Sequence, residues 1–430
     1  MYFSKQDIQA RRENLALKWN SILQGDEAVL VYSGGAIQKP GGLDRNYPFL
    51  PHPSYYWLTA RRREDEVILY NKNTGWVEFQ KAFTNEQAVW EGEKNDLLVS
   101  QPGRNIDQFN DYLKAEKFAA IYNLGQTIDA ISGKAFELRT MLDQTRRKKD
   151  NAEIKLIKHI AEITSFGYKE IKRILQPGVS EKDIQIAYES AIFKHGSHTT
   201  PYETIVGSGT NASGFHALPT QKDIKEKEFV LVDAGADIFD YCTDVTRVFA
   251  SSANMSSLHK DLYQLVLSVQ NECIAMSKPG MNWRDVHAKA AILFTEGLLN
   301  FGILKGNLSQ LIEKEVISVF FPHGLGHLVG LRVRDTGQEE NPNPKSYFGS
   351  RLRVDIQLEE GHLIAVEPGL YFIKRLFDNS EIQNKFKEDI CWQELEKWKH
   401  IGGVRIEDNI LITETGNENL TFCVPKAMEI

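Results

Sequence analysis

No stretch of this sequence keeps apolar residues together for the roughly 18 to 20 positions that a bilayer span requires. The opening residues Met1–Asp7 also lack an apolar leader, so we expect a cytoplasmic protein that does not enter a membrane. Cysteine is scarce. Cys242, Cys273, Cys391 and Cys423 lie far apart with no CxxC pair, which argues against a disulfide frame or zinc knuckle and suits a reducing compartment. Excess positive charge is missing too: 51 Lys and Arg against 58 Asp and Glu leave a net charge of -7. A surface for nucleic acid, which needs a clustered basic footprint, is therefore not expected. The one basic run, Arg146-Arg147-Lys148-Lys149, is short and reads as a solvated linker between domains. The glycine-rich stretch Ser33–Gly42 contains neither GxGxxG nor a Gly-Lys-Ser/Thr step and reads as a turn, not a phosphate loop. Short-period repeats and low-complexity segments are absent.

What is present is an ordinary globular composition, 42% hydrophobic and 25% charged over 430 residues, long enough for two domains that each bury a core. We draw the boundary at 1–145 and 146–430. The first part has a helical stretch at Gln6–Leu23, a buried strand at Ala28–Tyr32, and strand-like runs at Tyr55–Thr59, Glu66–Tyr70 and Ala119–Tyr122. That mixture predicts a small α/β domain. From Asn151 apolar residues recur at helical spacing until Pro177-Gly178 ends the pattern. A second helix starts at the capping box Ser180–Asp183 and runs to about His195. Two more, near Ser257–Met276 and Trp283–Phe301, alternate with strands. The larger domain is expected to be α+β, with helices packed on a curved, largely antiparallel sheet.

Four segments carry candidate chemistry. Phe229–Phe249 reads as two strands joined by a turn at Asp237–Asp240. Symmetry about that turn sets Asp233 opposite Asp244 on one face, and facing carboxylates in apolar strands call for a positive charge between them. A metal ion is the economical answer, the alternative being a different register in which each Asp caps a turn. His323-Gly324-Leu325-Gly326-His327 sets two imidazoles around glycines that let the backbone approach a ligand closely, although a lone pair of histidines is often structural. Glu367 ends the apolar strand Leu363–Val366 and is costly to bury unpaired. Arg405 and Glu407 share a strand face, where a plain ion pair is the competing explanation. Together these supply two Asp, one His and two Glu, an oxygen-rich set suited to a pair of Mn²⁺, Co²⁺ or Zn²⁺ ions. Such a pair acidifies a shared water and polarises a scissile carbonyl, which points to hydrolysis.

The motifs VDAGA with YCTDVTRVF, HGLGH with GL, VEPGLYF, and GGVRIEDN resemble those of the proline-directed pita-bread metallopeptidases, prolidase and aminopeptidase P. The likeness is strongest over Pro201–Val424 and extends to Thr204–Gly209 and Asn211–His216. The N-terminal part, with Tyr47-Pro48-Phe49 and Tyr55–Thr59, is similar to the family's smaller creatinase-like domain. The resemblance implies a pita-bread catalytic domain preceded by an α/β domain. It implies that Asp233 chelates one metal, that Asp244 and Glu407 bridge both, and that His327 and Glu367 complete the other, Mn²⁺ being the first choice. Glu367 would also move a proton from water to the departing nitrogen.

By the same resemblance His216, His323 and Arg334 are catalytic or substrate-contacting, Arg353 binds substrate, and Arg405 orients Asp233 beside the substrate. Arg334 stands where the family usually has histidine, and an arginine donates hydrogen bonds but does not exchange protons near neutrality. Ala217 stands where a tyrosine often follows the histidine at 216. The implied substrate is a peptide with proline in second position, whose tertiary amide has no N–H for strand-like recognition. A homodimer is expected by analogy.

Arg353, the long segment between Asp335 and Glu367, and Leu376–Ile401 resemble the dipeptidase; Phe301–Gly306 and Ile412–Leu420 resemble the aminopeptidase. The motifs lean to the dipeptidase. A catalytically impaired binding protein on the same scaffold, or a metal-free relative, would have lost ligands, and all five positions are filled.

Overall fold

The computed structural model describes residues 2–43, 45–91, 103–125, 133–336 and 346–426. The chain divides into two compact units, Met1–Arg146 and Arg147–Ile430. In the first, strands Glu27–Tyr32, Val67–Asn71 and Gly75–Gln80 pair antiparallel at the centre of a five-stranded sheet. Ala120–Asn123 and Arg104–Asn105 add parallel edges. Ala28, Leu30, Val67, Leu69, Phe79 and Tyr112 form its core.

The run Tyr55–Thr59, expected as a strand, is instead part of a helix, Pro53–Thr59. Proline at the first turn is preorganised for a helix, His52 caps it, and Ala60 ends it in the left-handed region. Burial of every residue from Ser54 to Thr59 removes the one-sided pattern that distinguishes the two structures in sequence.

In the second unit, the helix Asn151–Ile174 begins at a capping box, Asp150 with Glu153, and Glu181–Lys194 at another, Ser180 with Asp183. Each box satisfies backbone N–H groups that a helix start otherwise leaves orphaned. Ser257–Met276 and Trp283–Asn300 are the other long helices. Among the described residues every strand pair of this unit is antiparallel. Thr246–Ala250, Phe229–Asp233 and Ile205–Ser208 form one sheet; Leu363–Val366, Asp408–Ile412 and Asn417–Asn419 form another. A bridge between Thr246 and Glu407, just ahead of Asp408–Ile412, links the two. Helix residues Leu262, Val266, Trp283 and Phe294 pack with strand residues Leu231, Val248, Val366 and Ile410 into one large core, each such side chain stabilising by roughly 1.5–3 kcal/mol when fully buried.

Two expectations are corrected here. The hairpin is registered two residues away from the symmetric reading: Asp233 faces Thr246, and Asp237 faces Cys242. The turn is the pair Phe239-Asp240, both at positive φ (52° and 69°), as tight hairpin turns demand. A two-residue slip preserves the face, because side chains alternate with period two, so both aspartates still point the same way. The basic run is solvated only at Lys148. Arg146, Arg147 and Lys149 are buried, and Lys149 Nζ sits 2.9 Å from Asp335 Oδ2 with both side chains almost fully covered. Buried charge survives only when paired. Of the segment between Asp335 and Glu367, positions 337–345 lie outside the described residues.

Candidate metal centre

The strand edges of the second unit bring four carboxylates and one imidazole together. Asp233 ends Phe229–Asp233, Asp244 precedes Thr246–Ala250, Glu367 follows Leu363–Val366, and Glu407 follows Gly403–Arg405. The fifth, His327, rides a loop pressed against Leu363–Val366: Ala365 N–H donates to the His327 carbonyl and Val329 N–H to that of Leu363. Gly326 makes this approach possible, since a side chain there would run into the Ala365 carbonyl oxygen. Asp244, His327 and Glu407 offer donor atoms that all lie within 4.8 Å of one another. His327 Nε2 is 3.3 Å from Asp244 Oδ2 and 3.7 Å from Glu367 Oε1. The Tyr202 hydroxyl lies 2.8 Å from Asp233 Oδ1 and 2.5 Å from Asp244 Oδ1, tying the fourth carboxylate to the group.

Neighbours fix each of these groups in orientation. Arg405, buried, donates to Asp233 Oδ2 (2.6 Å), to the Tyr371 hydroxyl (2.9 Å) and to Thr246 Oγ1 (3.2 Å). Thr246 Oγ1 in turn donates to Glu407 Oε2 at 2.6 Å. The Asn409 side chain donates to the Asp244 carbonyl (2.7 Å) and accepts from its N–H (2.9 Å). His327 Nδ1 meets the Leu328 carbonyl at 3.2 Å, which leaves Nε2 for the cluster. Such outer contacts set the orientation of metal ligands.

The electrostatics of this arrangement are unbalanced. Burial, reinforced by Asp244 and opposed by Arg405, pushes Asp233 up to about 7. Burial and the neighbouring carboxylates Asp244, Glu367 and Asp233 hold Glu407 well above the usual range. Glu367 is raised, mainly by burial, against the pull of His327 and Arg405. Burial would raise Asp244 as well, but hydrogen bonding and charge attraction from His327 hold it below the ordinary value. His327 is raised by the same partners, against burial. Facing carboxylates titrate as a unit, one keeping its proton so that another stays charged.

The donor set fits divalent cations. Its oxygens outnumber its single imidazole nitrogen, and Glu407 Oε1 is buried with no hydrogen-bond partner among the described residues, a costly condition that a cation would relieve.

Above the cluster lies a cavity of about 410 Å³ lined by polar and apolar walls. His216, His323, Arg334, Arg353 and Arg405 all line it, with Phe215, Ile205, Leu218 and Val333 as its apolar surface. His323 has both ring nitrogens engaged, Nε2 with the Tyr371 hydroxyl (2.8 Å) and Nδ1 with the Gly324 carbonyl (2.9 Å). Burial pushes it down to about 3, so it is neutral. Burial and the charges of Arg334, Arg405 and Arg353 lower His216 as well. Sequence reasoning missed Tyr202, Thr246, Tyr371 and Asn409. Thr246, Tyr371 and Asn409 stand inside the quoted motifs, where their polarity amid apolar strand residues was the available signal; Tyr202, after Pro201, gives none.

The profile of metallopeptidase family M24 matches residues 155–414. A probable Xaa-Pro aminopeptidase of Talaromyces marneffei is 32% identical over 447 residues, covering 98% of this chain and 95% of that protein. One of Aspergillus niger is 37% identical over 411 residues, covering 90% and 88%. Among solved structures, Escherichia coli aminopeptidase P with the inhibitor Pro-Leu superposes with a TM-score of 0.79 at 23% identity, over 99% of this chain and 97% of that one.

Proposed function

The chain belongs to metallopeptidase family M24, as a proline-directed enzyme of the pita-bread fold, and on that premise we propose that it is an Xaa-Pro aminopeptidase. It would release the residue preceding proline from the N-terminus of a peptide. The relatives' names support this reading over the dipeptidase to which the motifs lean. The observation that carries the chemistry is the convergence of Asp233, Asp244, His327, Glu367 and Glu407 beneath one cavity, with an orphaned buried oxygen on Glu407.

In this reading the five residues hold a pair of divalent ions, Mn²⁺ for preference and Co²⁺ or Zn²⁺ otherwise. When bound, such ions supply Lewis-acid polarisation of the scissile carbonyl and lower the pKa of water. The remaining steps fall to the chain's own groups. Glu367, whose side chain keeps 17% exposure at the cavity, takes the proton of the attacking water. It then delivers that proton to the proline nitrogen, a role that suits a carboxylate raised above its ordinary range by burial. Protonation matters because the departing nitrogen of a tertiary amide has no hydrogen of its own. Arg405 keeps Asp233 oriented and partly charged, Asn409 fixes Asp244, and Thr246 fixes Glu407. Phe215, Ile205, Leu218 and Val333 offer the proline ring an apolar bed. His323, with both nitrogens occupied, acts as wall and support.

A dipeptidase is the second reading, favoured by Arg353. Its guanidinium lines the cavity and forms no ion pair among the described residues, as a grip on the carboxylate of a terminal proline would require. The deciding assay compares release of alanine from Ala-Pro-Ala, Ala-Pro and Ala-Ala-Ala by Mn²⁺-loaded enzyme. We expect Ala-Pro-Ala to be cleaved with the highest kcat/KM and Ala-Ala-Ala to be inert. Turnover of Ala-Pro alone supports the second reading, and no cleavage of either proline peptide overturns both.

A further inference from the structure

The stretch Arg332-Val333-Arg334-Asp335 leaves one charge uncompensated. Arg332 Nη1 lies 3.2 Å from Asp240 Oδ2, and Asp335 is pinned by Lys149 at 2.9 Å. Asp335 N–H also donates to the Leu328 carbonyl at 2.9 Å. Arg334, between these anchors, lines the cavity and has no ion pair or hydrogen bond among the described residues. Two deeply buried arginines of this unit hold carboxylates, Arg247 that of Asp408 and Arg405 that of Asp233. Arg353, half-buried on the same cavity wall, holds none among the described residues. The two guanidiniums are close enough to disfavour each other: burial first, and then Arg334, hold Arg353 below the ordinary arginine value. The cavity's own carboxylates, those of Asp233, Asp244, Glu367 and Glu407, form no ion pair with either guanidinium among the described residues, so two like charges on one wall are stabilised when a ligand brings an anion to them. Arginine is also the side chain best matched to a carboxylate, donating through a planar fork.

We infer that Arg334 is a specificity-determining residue that, with Arg353, binds a carboxylate on the prolyl side of the scissile bond. The inference rests on the reading that the site cleaves Xaa-Pro bonds. The carboxylate has two sources, the α-carboxylate of a proline that ends the peptide or an acidic side chain following proline. Arg334 is exposed and lies between the anchored residues Arg332 and Asp335, so it meets the ligand without refolding. It stands where the family pattern has an imidazole, and a guanidinium offers a planar fork of donors in place of that ring.

Two substrate pairs separate the sources: Ala-Pro against Ala-Pro-amide, and Ala-Pro-Glu-amide against the isosteric Ala-Pro-Gln-amide. Each is assayed with the Mn²⁺-loaded wild type, Arg334→Gln and Arg334→Lys. A charge-assisted hydrogen bond lost on truncation corresponds to roughly 10- to 100-fold. We expect the wild type to favour the carboxylate member of at least one pair by about that factor in kcat/KM. Arg334→Gln is expected to abolish the preference, and Arg334→Lys to restore part of it. Calorimetric binding of Pro-Glu-amide against Pro-Gln-amide, and of proline against prolinamide, reads the same preference without turnover. Equal values within both pairs, or a preference that survives Arg334→Gln, overturns the inference while leaving proline-directed cleavage intact. Failure to cleave any of the four peptides overturns the proposed function instead, and the calorimetric arm still decides the role of Arg334.

Discussion

Asn409 offers a direct test of how the fold holds the Asp244 carboxylate in place. Asp244 lies just outside the strand ladder, which resumes at Thr246, so its own N–H and carbonyl need another partner. The Asn409 amide supplies both bonds, at 2.9 and 2.7 Å, and is fully buried. Asn409→Leu keeps the volume and removes both. Each backbone group then left buried and unsatisfied costs about 1–3 kcal/mol, so we expect a loss of about 2–6 kcal/mol in all. That is a large share of the roughly 5–15 kcal/mol that stabilises a typical domain.

Urea unfolding of the metal-free protein reads the loss, and Mn²⁺ titration reads its consequence. Loosening Asp244 should weaken binding by about 10- to 100-fold, as removal of an orienting neighbour does. Asn409→Asp is the informative companion: it keeps the acceptor for Asp244 N–H but turns the donor into an anion facing a carbonyl. It should be no more stable than the leucine variant at neutral pH. A change below about 0.5 kcal/mol for Asn409→Leu, the range of ordinary surface substitutions, would refute the reasoning.

Other outcomes follow from the same site. Asp233, raised to about 7 in the fold from 3.8, makes the folded metal-free protein bind more protons than the unfolded chain between about pH 4 and 7. Its contribution to stability therefore falls as pH rises through that window, and the upward shifts of Glu367, Glu407 and His327 act in the same direction. The gain in melting temperature on adding Mn²⁺ should accordingly be larger at pH 8 than at pH 5, by differential scanning calorimetry against a chelated control; equal gains would contradict the shifts. Gly326→Ala pushes the His327 loop off the strand Leu363–Val366 and should lower stability by about 1–3 kcal/mol or more. Thermal unfolding measures that loss, and a wild-type melting temperature would contradict it.

How far the sequence discloses this site depends on the range of the interaction. Long helices with local signals are legible: the apolar recurrence from Asn151 and the capping box at Ser180 lie where the helices Asn151–Ile174 and Glu181–Lys194 begin. The carboxylates and imidazole are legible because charged groups inside apolar strands are expensive and so conspicuous. Their register is not, because the two-residue slip between the symmetric hairpin and the observed pairing alters no side-chain face. The helix Pro53–Thr59 is hidden by burial all round. Partners far apart in sequence are equally hidden: nothing at position 409 announces that its amide will close on Asp244, and nothing at Tyr202 that its hydroxyl will lie between Asp233 and Asp244. The basic run misleads for a related reason, since Lys149 meets Asp335 only in the folded unit.

Everything turns on whether these five side chains hold ions that the reaction needs. The most direct measurement is metal content by elemental analysis after equilibration with Mn²⁺ and gel filtration, alongside turnover of Ala-Pro-Ala, for the wild type and Glu407→Gln. The account predicts a pair of ions per wild-type chain, with metal and turnover lost together in the variant. A metal-free wild type that cleaves the peptide, or a variant that keeps full activity, would contradict it.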